Sequence, residues 1–173
     1  MQFVTEVKID FKSPPWKKYA AQLKAQIPGV LAATMQTQRA MIFDSEGKYN
    51  GRQGWKPLKC RDGQILKDTG TLSKSIGPMN TGITPGMATG SIVRYQKELV
   101  TIGTNIAYAH VQNEGATIVP VKAKALRYKC HGKWRFSKKS VIPARPFNDW
   151  TLADIAELST TMENFIGAVL RGE

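Results

Sequence analysis

The side chains that most often do chemistry in proteins are few in this sequence. It holds two cysteines, Cys60 and Cys130, and two histidines, His110 and His131. A thiolate beside an imidazole is a nucleophile, and Cys130 directly precedes His131, but no third group that would orient the imidazole stands nearby. Two cysteines without CxxC spacing also provide neither a metal ligand set nor a disulfide framework. We therefore expect both cysteines to be free thiols in a reducing compartment, and His110 to be a surface or packed residue rather than a ligand.

Other patterns that would indicate catalysis are missing from the sequence. Its 13 acidic residues show neither the paired spacing of acid–base catalysis nor a spacing typical of metal ligands. Gly47, Gly51 and Gly54 are not followed by the Lys-Ser/Thr pair of a phosphate-binding loop. The sequence thus favours a protein that is not an enzyme and that holds no cofactor and no metal ion.

Basic side chains are the strongest chemical feature of the chain. The net charge is +12. Residues 115–147 contain nine basic residues and no acidic residue, whereas residues 148–173 contain one basic and five acidic residues. Tyr128, Trp134 and Phe136 alternate with the cations in a predicted hairpin. Such a ribbon can follow a phosphate backbone or an acidic partner; the alternative is a solvated hairpin whose charges deter edge-to-edge aggregation. The residues predicted to face DNA or an acidic partner are Lys122, Lys124, Arg127, Lys129, Lys133, Arg135, Lys138 and Lys139.

Apolar spacing predicts the elements that position these residues. An apolar stripe from Trp16 to Phe43 indicates a helix that Pro28 and Gly29 kink or break. Thr151 and Asp154 have the spacing of a capping box, which predicts the start of a last helix. The predicted strands are 2–11, 71–79, 88–95, 98–104 and 117–121, with a short helix at 105–114 and a hairpin of 125–129 with 134–138.

This order of elements predicts an α+β fold. We expect a mainly antiparallel sheet with a long basic hairpin, covered by a kinked N-terminal helix and a C-terminal helix. The chain is predicted to form a single domain over 1–173, with a flexible loop at about 44–66 that docks in part through residues 54–58. No apolar run reaches the roughly 20 residues of a membrane span, and the N-terminus lacks a signal-peptide pattern. We expect synthesis in the cytosol and no membrane partner.

Four peptides stand out by their order along the chain: Trp55–Leu58, Ile65–Ile76, Ile102–Gly115 and Ile142–Phe147. In the last peptide, Pro143 and Pro146 push Ile142 and Arg145 into extended conformations. Together the four resemble the phage virion morphogenesis (tail-completion) family, which includes the tail protein G of phage Mu. That family shows a W-x-P-L loop, an L-x-D-T-G-x-L segment, an I-G-T-N-x-x-Y-A turn and helix, and an I-P-A-R-P-F segment before its last helix.

The resemblance implies a structural protein of tail completion or head–tail joining at the neck. It would act as a homo-oligomeric ring, a hexamer being one option, at the head-proximal end of the tail. Its implied partners are connector or adaptor proteins and tail-terminator or tail-tube proteins, with DNA contact in the lumen, in a virion assembled in the host cytoplasm. A nucleic-acid-binding module without sequence specificity is the alternative. The motif residues with an implied structural role are Trp55, Asp68, Thr69, Gly70, Tyr108, Pro143, Arg145, Pro146 and Phe147.

Individual motif residues also carry mechanical expectations. The Asp68 side chain is expected to cap backbone N–H groups in a turn where Gly70 takes a conformation that other residues resist. Tyr108 is expected to bury its ring and keep its hydroxyl near solvent. Arg145 is expected to reach carbonyl groups or a carboxylate, with Asp149 and Glu114 as candidate partners.

Overall fold

The described part of the chain combines helices with antiparallel strands, as the sequence predicts. The computed structural model describes residues 3–8, 19–77, 90–96 and 99–171. The helices are α1 (Ala20–Asp44), α2 (Thr71–Ile76), α3 (Ala109–Glu114) and α4 (Leu152–Arg171), with a 3₁₀ turn at Tyr49–Gly51. The strands are β1 (Phe3–Lys8), β2 (Ser91–Gln96), β3 (Leu99–Thr104), β4 (Ala116–Ile118), β5 (Leu126–Cys130), β6 (Lys133–Ser137) and β7 (Ser140–Ile142). The α+β class is confirmed.

The strands form three small antiparallel sheets. One sheet has the order β1-β3-β2, and β4 pairs with β7 while β5 pairs with β6. The central strand β3 is buried along most of its length, with Val100 and Ile102 fully covered. Alternating apolar residues on a strand pack well in such a position. β3 is therefore the part of the sheet on which the helices rest.

The long helices α1 and α4 pack on each other and on β3. Their shared core contains Leu23, Leu31 and Met35 of α1 and Leu158 and Val169 of α4. α1 continues through Pro28 without a break. The part of the predicted helix before residue 19 lies outside the described residues.

The segment predicted as a strand at 71–79 is helical where the structure describes it, and this prediction was wrong. Leu72 and Ile76 are buried, as expected, but they lie one helical turn apart on α2. A spacing of four residues places two side chains on one face of a helix and also on one face of a strand, so it cannot decide between them. The predicted helix at 105–114 begins later, at Ala109.

The capping box at the start of α4 is confirmed. The Thr151 N–H donates to Asp154 Oδ2 at 2.9 Å, and the Asp154 N–H donates to Thr151 Oγ1 at 3.2 Å. These reciprocal bonds satisfy backbone donors that the first turn of a helix leaves without a partner.

Asp154 also belongs to a buried polar network that joins α4 to the 3₁₀ turn. Arg52 binds both of its carboxylate oxygens, and Asn50 Nδ2 donates to Oδ1 at 2.8 Å. Burial opposes ionisation of Asp154, but the hydrogen bonds from Arg52, the Thr151 backbone and Asn50 outweigh it and lower the pKa to about 2. The network therefore holds α4 against the segment that follows α1.

A second part of the same network surrounds Glu157. Its carboxylate accepts hydrogen bonds from the Tyr49 hydroxyl at 2.7 Å and from Gln38 Nε2 and Asn50 Nδ2 at 3.0 Å each. Burial and the contact with Glu157 raise the pKa of Tyr49 to about 12. Neither Asp154 nor Tyr49 thus changes its charge near neutral pH, so this cluster is suited to fastening elements rather than to transferring protons.

Candidate functional site

The predicted basic hairpin is present and projects its cations into solvent. β5 and β6 pair from Leu126 opposite Ser137 to Cys130 opposite Lys133, with His131 and Gly132 at positive φ in the turn. All eight basic residues predicted to face a partner are exposed. Four lie on the two strands, Lys122 and Lys124 precede β5, and Lys138 and Lys139 lie between β6 and β7.

One face of the hairpin combines cations with exposed aromatic rings. The Arg127 guanidinium lies 4.5 Å and the Lys129 ammonium 5.2 Å from the centre of the Trp134 ring. Phe136 stands directly opposite Arg127 and is 68% exposed. Cation–π contacts of this kind hold the long side chains in place on the ribbon. The face thus presents ordered positive charge beside apolar rings.

A disulfide fixes the hairpin tip, contrary to the expectation of two free thiols. Cys60 and Cys130 are bonded, with their Cα atoms 4.2 Å apart and a separation of 70 positions in sequence. The His131 N–H donates to the Cys60 carbonyl at 3.0 Å, so the backbones of the two segments also meet. The sequence reasoning failed because it counted cysteines and their spacing, while the fold brings two distant segments together. The disulfide also removes Cys130 as a thiolate partner of His131.

The other histidine has a local partner. His110 Nδ1 lies 3.3 Å from Glu114 Oε1, one turn along α3, and both side chains are partly exposed. Within the described part of the chain, no three histidine, cysteine or acidic side chains lie close enough together to hold a metal ion.

The four motif peptides meet around one cleft of about 430 Å³, although they are spread over the 93 residues from Trp55 to Phe147. Every peptide contributes to its wall: Leu58 from the first, Leu66, Asp68, Thr69, Thr71 and Leu72 from the second, Tyr108 and Gln112 from the third, and Arg145 from the fourth. We call this the motif cleft; Arg61 is the lining residue that lies outside the four peptides.

Arg145 is buried at the motif cleft and reaches carbonyl groups, as expected. Its Nε and one terminal nitrogen donate to the Lys56 carbonyl at 3.3 and 3.2 Å, and the other terminal nitrogen lies 3.5 Å from Gln112 Oε1. Neither of the carboxylates proposed from the sequence, Asp149 or Glu114, is its partner. Burial, followed by the charge of nearby Arg61, lowers the pKa of Arg145.

The peptide around Arg145 is fixed by neighbouring backbone and side chains. The Arg145 N–H donates to the Gln112 carbonyl at 2.9 Å, and the buried Asn113 side chain accepts from the Phe147 and Asn148 N–H groups. Phe147 itself is fully buried against Phe43. The sequence did not predict this role of Asn113. An asparagine in a short polar helix gives no local signal that its side chain binds the backbone of Phe147, 34 residues away.

Trp55 docks the loop after α1 onto this peptide. Its Nε1–H donates to the Pro146 carbonyl at 3.0 Å, and its ring meets Phe43 edge-on at 5.5 Å. Pro143 and Pro146, the two prolines of the peptide, are each half-buried. The docking predicted for residues 54–58 is thus seen at Trp55.

The remaining motif residues depart in part from expectation. Gly70 has the expected left-handed φ of 72°, but Asp68 is exposed and lies 3.5 Å from Arg61 instead of capping the turn. Thr69 Oγ1 accepts from the Thr71 N–H in its place. Tyr108 does not bury its ring, since 46% of the residue is exposed at the mouth of the cleft.

The described structure is thus an α+β protein with an exposed basic hairpin and a cleft built from four separated peptides. Among curated proteins, a similar chain is the Haemophilus influenzae protein named Mu-like prophage FluMu G protein 2. The two are 26% identical over 148 residues, which cover 86% of this chain and 82% of the relative. No family model matches the chain, and no solved structure matches it. The similarity supports a relation to proteins of Mu-like phages.

No helix among the described residues combines the length and the apolar character needed to cross a membrane.

Proposed function

We propose that this chain is a structural protein of a Mu-like phage or prophage that acts in tail completion or head–tail joining. The observation that carries the proposal is the similarity to a Mu-like prophage G protein along 86% of the chain. The convergence of the four motif peptides on one cleft adds support, because peptides that resemble one family also form one structural unit here.

Exposed apolar side chains support association into a ring at the head-proximal end of the tail. Leu152 is 87% exposed and Ile155 is 49% exposed, and the two lie three positions apart on one face at the start of α4. Val121 and Val141 are exposed at 92% and 65% elsewhere on the surface. A neighbouring pair of exposed apolar side chains suits contact with another protein surface, and a closed ring is one outcome of association between identical subunits. A hexamer is one option, and the neighbours would be connector or adaptor proteins and tail-terminator or tail-tube proteins.

The hairpin would then face DNA in the ring lumen or an acidic surface of a neighbouring ring. Its eight cations are exposed, so they can meet a polyanion without a change of fold. Assembly in the host cytoplasm requires that the fold also tolerate reduced cysteines, since thiols are kept reduced there. The finished protein would reside in the virion, at the tail or neck.

The test is a mass measurement of the purified protein, alone and mixed with tail tubes or with connectors of a Mu-like phage. We expect a discrete oligomer, formed alone or on addition of one of these particles. A strict monomer that binds neither tubes nor connectors would contradict the proposal.

A nucleic-acid-binding module without sequence specificity is the second candidate, favoured by the exposed cations and rings of the hairpin. It predicts tight duplex binding by the monomer, with an affinity that falls steeply as salt rises. Arg127→Gln and Lys129→Gln would weaken this binding, while Lys74→Gln on α2 is the matched control outside the hairpin. Binding that appears only in the assembled ring would favour the first proposal.

A further inference from the structure

The motif cleft holds a positive charge that its own carboxylate does not balance. Two arginines, Arg61 and Arg145, line it together with one acidic residue, Asp68. Asp68 is paired with Arg61, at 3.5 Å. In the part of the chain that the structure describes, Arg145 forms no ion pair, although only 7% of it is exposed.

The hydrogen bonds of Arg145 leave donors available to a ligand. A guanidinium has five N–H groups, and three contacts with the Lys56 carbonyl and Gln112 Oε1 account for three of them within the described structure. The contact with Gln112 is long, at 3.5 Å. A buried cation without a counter-charge is unfavourable, so an anion that enters the cleft would gain a strong partner.

The walls of the cleft indicate which kind of anion fits. Leu58, Leu66 and Leu72 line it with aliphatic surface, and the hydroxyls of Thr69, Thr71 and Tyr108 add polar groups. Leu66 has a φ of 59°, a left-handed conformation that is rare for a bulky residue and is found at binding sites more often than elsewhere. A volume of about 430 Å³ admits a few side chains rather than a folded surface.

We propose that the motif cleft binds an acidic side chain of a partner protein, flanked by aliphatic residues, with the carboxylate on Arg145 and Arg61. A planar guanidinium matches a carboxylate through two parallel hydrogen bonds. A nucleic acid phosphate fits this cleft less well. Proteins bind a phosphate backbone through rows of exposed cations, whereas Arg145 is buried in a cleft that leucine side chains also line. The inference rests on the cleft alone and is independent of the assembly role proposed above.

The test uses the folded full chain with 15N-labelled arginine and follows the side-chain Nε–H signals by NMR at constant ionic strength. The probes are acetyl-Leu-Glu-Leu-amide and its matched control acetyl-Leu-Gln-Leu-amide. We expect the glutamate peptide to shift the Arg145 signal saturably, and the glutamine peptide to bind at least tenfold more weakly.

Variants separate the cleft from the general positive charge of the protein. Arg61→Gln removes a partly exposed arginine. It is expected to weaken binding of the glutamate peptide roughly tenfold, because one charge-assisted hydrogen bond is lost. Arg127→Gln makes the same change on the hairpin and is expected to leave the affinity unchanged. The test does not need Arg145→Gln. Arg145 is buried, so its replacement could prevent folding and would then give no information on binding.

Three results would overturn the inference. The first is an Arg145 signal that does not saturate, or that shifts equally with both peptides. The second is an equal response of the hairpin arginines, which would show general attraction to a basic protein. The third is tighter binding at Arg145 by inorganic phosphate or by a single-stranded oligonucleotide than by the glutamate peptide, which would assign the cleft to phosphate.

Discussion

Buried arginines in this protein have different kinds of partner. Arg52 shares a bidentate ion pair with Asp154, whose side chain is fully buried. Arg39 is also fully buried; it donates to the Asp149 carbonyl, and its guanidinium lies 4.3 Å from the centre of the Trp150 ring. Burial lowers the pKa of Arg39 to about 10, against the opposing effect of Asp154. Asp154 is therefore the counter-charge on which this part of the core depends.

Asp154→Asn should destabilise the protein strongly. The change keeps the shape of the side chain but leaves Arg52, itself only 11% exposed, without its counter-charge. Breaking one side of a buried pair lowers the free energy of unfolding by about 3 kcal/mol or more. Urea denaturation followed by circular dichroism measures the change.

Asp44→Asn is the matched control for that variant. Asp44 pairs with Lys67 at an exposed site, where an ion pair contributes about 0–1 kcal/mol. Equal losses of stability in the two variants would show that the Asp154 network is no more important than a surface pair.

The effect of Asp154 should depend on pH in one direction. Its pKa is lowered from 3.8 to about 2 in the folded protein. A carboxyl group with a depressed folded pKa contributes stability above its unfolded pKa, and this contribution is lost as the pH falls through the folded value. The stability difference between wild type and Asp154→Asn should be constant at neutral pH and shrink between about pH 4 and pH 2. A difference that grows on acidification would contradict this assignment.

The contact between α3 and the peptide Ile142–Phe147 depends on a close approach at Gly115. Gly115 has a φ of 78°, and a Cβ built there would lie 2.7 Å from the Ala144 nitrogen and 2.8 Å from the Ile142 carbonyl oxygen. Both neighbours are backbone atoms, so they cannot turn away as a side chain would. The position of Arg145 over the motif cleft thus depends on a residue without a side chain.

Gly115→Ala should therefore lower the free energy of unfolding by at least about 1–3 kcal/mol, the range for a non-glycine residue held in an unfavourable backbone conformation. Gly29→Ala is the matched control, since Gly29 lies in α1 and, apart from the adjoining residues and the nearby backbone of the helix, nothing lies within 4 Å of the added Cβ. That change should raise stability by about 0.5–1 kcal/mol through helix propensity. Thermal melts of both variants check the opposite signs, and a neutral Gly115→Ala would show that the peptide can move.

Most elements defined by neighbouring residues were predictable from the sequence, with α2 as an exception, and contacts between distant segments were not. Thr151 and Asp154 cap the same helix that they begin, and the hairpin turn needs only the adjacent His131 and Gly132. The acceptor of Arg145, by contrast, is the Lys56 carbonyl, 89 residues away. α2 was predicted as a strand because Leu72 and Ile76, four residues apart, lie on one face of a strand as well as on one face of a helix. The disulfide was not predicted because no local signal connects Cys60 with Cys130.

Reduction of the disulfide should loosen the hairpin without unfolding the protein. In the chain-entropy account, a link across 70 residues stabilises the folded state by about 4 kcal/mol. We expect no reactive thiol in the unreduced protein, two after reduction, and faster tryptic cleavage at Lys129 and Lys133. A Cys60→Ser/Cys130→Ser double variant should match the reduced wild type. Two thiols in the unreduced protein would show that the bond does not form.

The charges of the whole molecule are distributed unevenly between its interior and its surface. The acidic C-terminal segment uses Asp154 and Glu157 for internal bonds with Arg52, Asn50 and Tyr49. The basic segment places eight of its nine cations in solvent on the hairpin and beside it, and buries the ninth, Arg145. Asp154 and Glu157 are therefore engaged within the molecule, whereas the cations of the hairpin remain open to solvent.

Leu152→Glu should block the ring assembly proposed above and leave the monomer folded. Leu152 is the first residue of α4 and is 87% exposed, so it contributes little to the core. An acidic residue in the first turn of a helix is also favourable for the helix itself. We expect thermal stability within about 0.5 kcal/mol of wild type, but loss of the oligomer in light scattering. Ala153→Glu adds the same charge at the neighbouring exposed position and controls for charge alone. If Leu152→Glu assembles as the wild type does, the subunit contact does not include the start of α4, and the exposed valines at 121 and 141 become the next positions to change.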